Sequence, residues 1–182
     1  CAIMPDLGFG TSSGSDMPPL PASAAAPAVY PRDAHTFARP EIAHVRHVAL
    51  DLTADFRAQT LSGTASLDIQ GATGATEVVL DIKNLDIRGV SDASGAPLQY
   101  ETGALDAIKG QPLTVHFPAL AAGETRRIVV AYSTRPDAAA LQWLTPSQTA
   151  GGEQPYLFSQ GQAILTRTWV PTQDSPGIRQ TY

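Results

Sequence analysis

Cysteine occurs once, as Cys1, so no disulfide can close within the 182 residues. Basic residues are few: 12 Lys and Arg stand against 17 Asp and Glu, for a net charge of -5. They are scattered, apart from the pair Arg126-Arg127. That excludes the concentrated positive surface that binding DNA or RNA requires. No apolar run approaches the ~20 residues needed to cross a bilayer. No segment carries a long apolar stripe at helical spacing, so helices are not the main building material. Charged residues reach only 16%, while the 43% hydrophobic content suits one folded domain with a sizeable core.

Familiar catalytic motifs are missing too. The His-Glu-x-x-His signature places two metal ligands on one helix face with Glu as general base, and it is absent. A Gly-rich phosphate loop and Gly-x-Ser-x-Gly are absent as well, and Cys1 has no partners that would make it a nucleophile. The histidines are His35, His44, His47 and His116. His44 and His47 have a weak metal-like spacing. On a regular strand, however, residues three apart point to opposite faces, so two independent surface histidines are expected.

Residues 1–40 read as a tether or linker. Pro5, Pro18, Pro19, Pro21, Pro27, Pro31 and Pro40 interrupt them, with Gly8, Gly10, Gly14 and Ser12-Ser13 between. Proline removes backbone donors and glycine raises the entropy cost of ordering. Phe9, Val29, Tyr30 and Phe37 are apolar enough for part of the segment to lie against a neighbouring domain. A first residue that is the only cysteine matches a cleaved bacterial lipoprotein, with lipid attachment at Cys1. On that reading the protein is exported, periplasmic or held at the outer membrane, and its only membrane contact is the lipid anchor. The other reading is that numbering begins at an arbitrary residue. A signal peptide would decide between them, and the sequence contains none.

From residue 41 to 182 the pattern is that of a β-domain. Val48, Leu50, Leu52, Ala54 and Phe56 alternate with polar or small residues, and so do Leu61, Gly63, Ala65, Leu67 and Ile69. Alternation at period two gives each strand one core face, and the two segments predict a long antiparallel hairpin. Shorter strands are expected around Val78-Leu80-Ile82, Leu85-Ile87-Gly89, Leu113-Val115-Phe117 and Ile128-Val130-Tyr132. Asp92-Ala93-Ser94-Gly95 and Ala122-Gly123-Glu124 read as turns. Residues 134–155 read as a long irregular loop, of the kind that is often functional.

The carboxy-terminal third carries a resemblance. Ala140-Leu141-Gln142-Trp143-Leu144-Thr145-Pro146 leads to Pro155-Tyr156-Leu157-Phe158-Ser159-Gln160-Gly161-Gln162-Ala163-Ile164. Arg167, Pro171, Gln173-Asp174, Pro176 and Thr181-Tyr182 follow. The string closely resembles the amino-terminal domain of zinc aminopeptidases of the aminopeptidase N / leukotriene-A(4) hydrolase family. A weaker match reaches back through Thr60-Leu61-Ser62-Gly63-Thr64-Ala65 to His47.

The resemblance implies a saddle-shaped, mostly antiparallel all-β fold, packed against a thermolysin-like catalytic domain of the same protein. It places the zinc ligands, the general base and a Gly-x-Met-Glu-Asn motif in that second domain, so no cofactor and no catalytic residue is expected here. The match stops a few strands short of the family's first-domain end, so the chain is expected to be a truncated piece. The resemblance also implies that Gln162, with Gln160 beside it, reaches the active-site cleft and holds the amino terminus of a peptide. An amide suits that task, because its carbonyl accepts from an ammonium while its NH₂ donates to a carbonyl. Spacing alone instead suggests two Gln on one face of a surface strand. Family members often carry another residue at the Gly161 position. Tyr156, Phe158 and Trp169 read as core or domain-interface aromatics, and Trp143 as core or loop anchor. Arg167 and Asp174 are candidates for an ion pair. The competing function is a non-catalytic lipoprotein β-module that binds a protein or glycan.

Overall fold

The computed structural model describes residues 32–182. Cys1, with its expected lipid, and the tether as far as residue 31 lie outside the described residues. The predicted hairpin is present as β1 (Ala43–Asp55) and β2 (Thr60–Gly71). At its tip Asp55 Oδ1 accepts from the backbone N–H groups of Arg57 and Ala58, at 2.9 and 2.8 Å. The remaining strands are β3 (Glu77–Ile82), β4 (Asp86–Asp92), β5 (Tyr100–Thr102), β6 (Gln111–His116), β7 (Thr125–Ser133), β8 (Leu141–Leu144) and β9 (Tyr156–Ser159). Strands β1, β2, β7 and β4 form one antiparallel sheet in that order, and β3, β6 and β5 form a second. Strands β8 and β9 make a small antiparallel pair of their own.

The core lies between the two larger sheets. Val45, Val48, Ala65, Leu67, Ile69, Val90, Ile128, Val130 and Tyr132 line one side, and Val78, Leu80, Ile82, Leu113 and Val115 the other. Burying each such side chain contributes about 1.5–3 kcal/mol. Gln173 ties the sheets together. Its amide donates to Ala43 O (2.9 Å) and Val79 O (3.2 Å), and its carbonyl accepts from Val45 N (3.0 Å).

Period two fails at two places, both bulges. The register of β1 against β2 shifts between Val45 and His47. Val45 and Val48 therefore both face the core, and His44 and His47 lie opposite Gln70 and Asp68, which share one face of β2. The two histidines are thus on the same side, against the expectation from a regular strand, because the extra residue Arg46 resets the alternation. Arg46 O is free to accept from Thr181 N (3.0 Å), while Val48 N donates to Thr181 O (2.9 Å). A second shift, between Ile87 and Gly89, turns Val90 inward.

The outer half of β1 differs from its predicted core face: Leu50 is 38% and Phe56 41% exposed. Near the hairpin tip Leu61 forms a smaller cluster with Ala138 and Leu141, and Leu52, Trp143, Leu157 and Trp169 pack against it. Trp143 meets Phe56 edge-on, with ring centroids 5.2 Å apart. The stretch 134–155, expected to be irregular, contains β8, and β5 had no clear signal in the sequence. The described end of the linker touches the domain well before residue 41. Asp33 accepts from the Ser175 hydroxyl (2.7 Å), and Asp81 accepts from Phe37 N (2.8 Å) and from the Thr36 hydroxyl.

Candidate functional site

Gln160 and Gln162 come from the segment that leaves β9, and both are exposed. Neither belongs to a strand, so the picture of two amides on one strand face does not hold. Gln160 stands just beyond the β8–β9 ladder, with its N–H donating to Ala140 O at 2.8 Å. Gln162 stands on the turn that follows, and its peptide bond to Ala163 is cis. Leu165 N closes this turn on Gly161 O (2.8 Å), and a single 3-10 turn, Thr166–Thr168, comes next. Among the described residues, neither Gln side chain makes a hydrogen bond, so both amides are available to a ligand.

What lies beneath this turn is fixed. Arg167 is fully buried and every arm of its guanidinium is used. Nε donates to Asp174 Oδ2 (3.2 Å), one NH₂ group to His35 O (2.9 Å) and Lys109 O (2.6 Å), and the other to Asp174 O (2.8 Å). The Arg167–Asp174 pair suggested by the sequence therefore forms. Asp81 lies 3.9 Å from the same guanidinium and is fully buried. Burial pushes the Asp81 carboxyl above its ordinary value of 3.8, opposed by the bonds from Thr36, Phe37 and Asp174 N and by the charge of Arg167. Lys83 N donates to Arg167 O (2.8 Å), and the Tyr132 hydroxyl, rooted in the core, donates to Trp169 O (2.9 Å). The turn is thus held from both sheets.

The aromatics divide by face. In the β8–β9 pair, Leu141, Trp143 and Leu157 turn toward the small cluster. Tyr156 and Phe158 turn away and are 58% and 44% exposed, which removes them from the core. They are neighbours of Gln160 in sequence. Trp169 packs against both clusters.

Sequence reasoning missed Asp81, Gln173 and Thr168. Asp81 did leave a signal: a carboxylate within the apolar run Val78-Val79-Leu80-Asp81-Ile82 needs buried partners. Gln173 stood out only as part of the family string and Thr168 not at all, because a buried amide or hydroxyl looks like a surface one until its backbone partners are placed. No three His, Cys, Asp or Glu side chains converge as a metal site among the described residues. The described residues therefore do not fit a zinc ion.

Comparison with known proteins agrees with this architecture. The model of the Peptidase M1 N-terminal domain matches residues 44–182. A leucine aminopeptidase 2 from Yarrowia lipolytica is 36% identical over 151 residues, covering 83% of this chain and 23% of the relative. A leukotriene A-4 hydrolase from Xenopus laevis is 35% identical over 152 residues, covering 82% of this chain and 25% of the relative. Among solved structures, yeast LTA4 hydrolase in complex with bestatin superposes with a TM-score of 0.74 at 26% identity, over 90% of this chain and 26% of that one. An M1 zinc metallopeptidase from Deinococcus radiodurans shares the fold, with a TM-score of 0.57 at 21% identity over 76% of this chain and 31% of that one. The chain thus spans about a quarter of the length of the curated relatives it matches.

Proposed function

Because the chain belongs to the Peptidase M1 N-terminal domain family, we propose that it is the non-catalytic scaffold and substrate-gating domain of a zinc aminopeptidase. Its partner is a thermolysin-like catalytic domain of the same protein, and its ligand is the amino terminus of a peptide. Zinc activates water and polarises the scissile carbonyl when bound in that other domain.

The observation that carries the reading is the pairing of exposed amides with a rigid base. Gln160 and Gln162 face outward, while Arg167, one turn away, is locked by four backbone or carboxylate acceptors. A side chain that must hold a substrate amine gains from such a base, because the position of the backbone that presents it is then settled before binding. Gln162 Oε1 accepts from the ammonium, and its NH₂ donates to a peptide carbonyl. Tyr156 and Phe158 are exposed as well, and they supply apolar surface for a contact with the catalytic domain.

The test is Gln162→Ala in the full-length protein. Losing bonds to a charged amine costs up to about 1.5–3 kcal/mol each. The loss falls on KM if the bonds form equally in ground and transition states, and on kcat as well if they tighten during alignment. Gln160→Ala should have the smaller effect. An unchanged kcat/KM for Gln162→Ala across several peptides rejects the gating role. The 182-residue chain alone should neither retain stoichiometric zinc after dialysis nor turn over an alanyl or arginyl reporter.

A further inference from the structure

A closed ring of hydrogen bonds surrounds the turn that carries Gln162, and one buried hydroxyl completes it. Gln160 N donates to Ala140 O at 2.8 Å. Ala140 N donates to Thr168 Oγ1 at 3.1 Å. The same hydroxyl donates to Leu165 O at 2.7 Å. Leu165 N donates back to Gly161 O at 2.8 Å. The ring thus runs from Gln160 through β8 and the 3-10 turn to Gly161, with Gln162 on the segment it encloses. Thr168 is 4% exposed and Ala140 1%, so water does not compete for the bond between them.

We infer that Thr168 is a positioning residue for Gln162, acting through this ring rather than by touching substrate. The inference rests on the reading that Gln162 meets the peptide amine. Its physical basis is that Thr168 alone both donates and accepts between two segments that bracket the turn. Replacing the hydroxyl by a methyl leaves Ala140 N without its partner in a buried place, while Leu165 O keeps only the bond from Thr168 N (2.9 Å). The turn then gains freedom, and the backbone that presents Gln162 is no longer held in one place. Arg167, Asp81 and Asp174 hold the base in the same way, but they also hold the fold. Thr168 separates the two tasks, since its side chain bonds only Leu165 in the turn and Ala140 just before β8.

The experiment compares Thr168→Val, Thr168→Ser, Gln162→Ala and the double variant Thr168→Val/Gln162→Ala in the full-length protein. Thr168→Val should lower kcat/KM for a peptide about three- to tenfold, and Thr168→Ser should stay within about twofold of the parent. In the Gln162→Ala background, Thr168→Val should add less than about twofold, because residues acting as a unit are not additive. On the 182-residue chain, Thr168→Val should speed hydrogen exchange at Gln160 N and Leu165 N while the β2–β7 ladder keeps its protection. A Thr168→Val loss that is equally large without Gln162 overturns the inference, as does failure of Ser to restore activity or an unaltered kcat/KM. Should Thr168→Val not fold, Thr168→Ala is judged by the same criteria. If Gln162→Ala is costly while Thr168→Val is silent, only the positioning role falls. If Gln162→Ala is silent, the gating role falls and the positioning role with it.

Discussion

Thr166 Oγ1 fills the space that a side chain on Gly161 would need, well inside van der Waals contact of a Cβ built there. The Thr166 Cβ and Cα stand at ordinary distances of 3.6 and 3.8 Å. Only the hydroxyl is in the way. The two positions are therefore neighbours in space, and a side chain at 161 requires the Thr166 hydroxyl to move.

Gly161→Ala should accordingly disturb the turn, lowering both the melting temperature of the chain and the activity of the full-length protein. Thr166→Ala should cost little alone and should restore most of the loss when combined with Gly161→Ala. Simple addition of the two single effects in thermal unfolding would show that the positions do not interact.

Arg167→Met should be among the most damaging single changes. It removes a fully buried cation and leaves Asp81 and the partly buried Asp174 without it. Breaking a buried ion network from one side costs about 3–5 kcal/mol. Urea unfolding of the 182-residue chain measures this directly, and a loss below about 1 kcal/mol would contradict the assigned role.

Gln173→Leu tests the clamp between the sheets. The change keeps most of the volume but strands Val45 N, Ala43 O and Val79 O, each a buried partner of the amide. Each stranded group costs about 1–3 kcal/mol if nothing replaces the bond. Hydrogen exchange at Val45 N should rise in the variant even under conditions where the fold persists.

Asp68 and Arg127 predict a pH dependence. Hydrogen bonds from Arg127, at 2.7 and 2.9 Å, and its charge hold the Asp68 carboxyl below its ordinary 3.8. A carboxyl whose folded pKa is depressed contributes stability that is present above the unfolded pKa and lost as pH falls through the folded one. The stability gap between the parent and Asp68→Asn should therefore be constant at neutral pH and shrink as pH drops below 3.8. High salt should narrow the gap as well, because Arg127 is half exposed. Denaturant titrations at mildly acidic and strongly acidic pH decide the matter. A gap that widens toward low pH refutes the assignment.

Tyr156 and Phe158 are large aromatics exposed without a packing role in the described residues. Serine at both positions should change the stability of the isolated chain by less than about 0.5 kcal/mol each. The same pair in the full-length protein should weaken the contact between domains, read as faster proteolysis between them. A large loss of stability in the isolated chain would return both rings to the core.

The all-β class, the long hairpin and most core positions were legible in the sequence because strand faces are a local, period-two property. Leu67, Ile69, Leu80, Leu113, Val115, Ile128 and Val130 all point where alternation places them. The family was legible because several uncommon words follow one another in order between Ala140 and Tyr182. The bulges were not, since an inserted residue changes no composition yet reverses the phase of all that precedes it, and this put His44 and His47 on one face. The exposed half of β1 was equally hidden, because alternation marks a face and not what covers it. The site followed the same division. The proposed substrate contacts Gln160 and Gln162 came from the family resemblance, and of what holds their segment the sequence suggested only the Arg167–Asp174 pair. Arg167 also meets groups at residues 35, 81 and 109, and Thr168 meets residue 140. Such partners lie far apart in sequence and belong to no period, so only folding both sheets around one core brings them together.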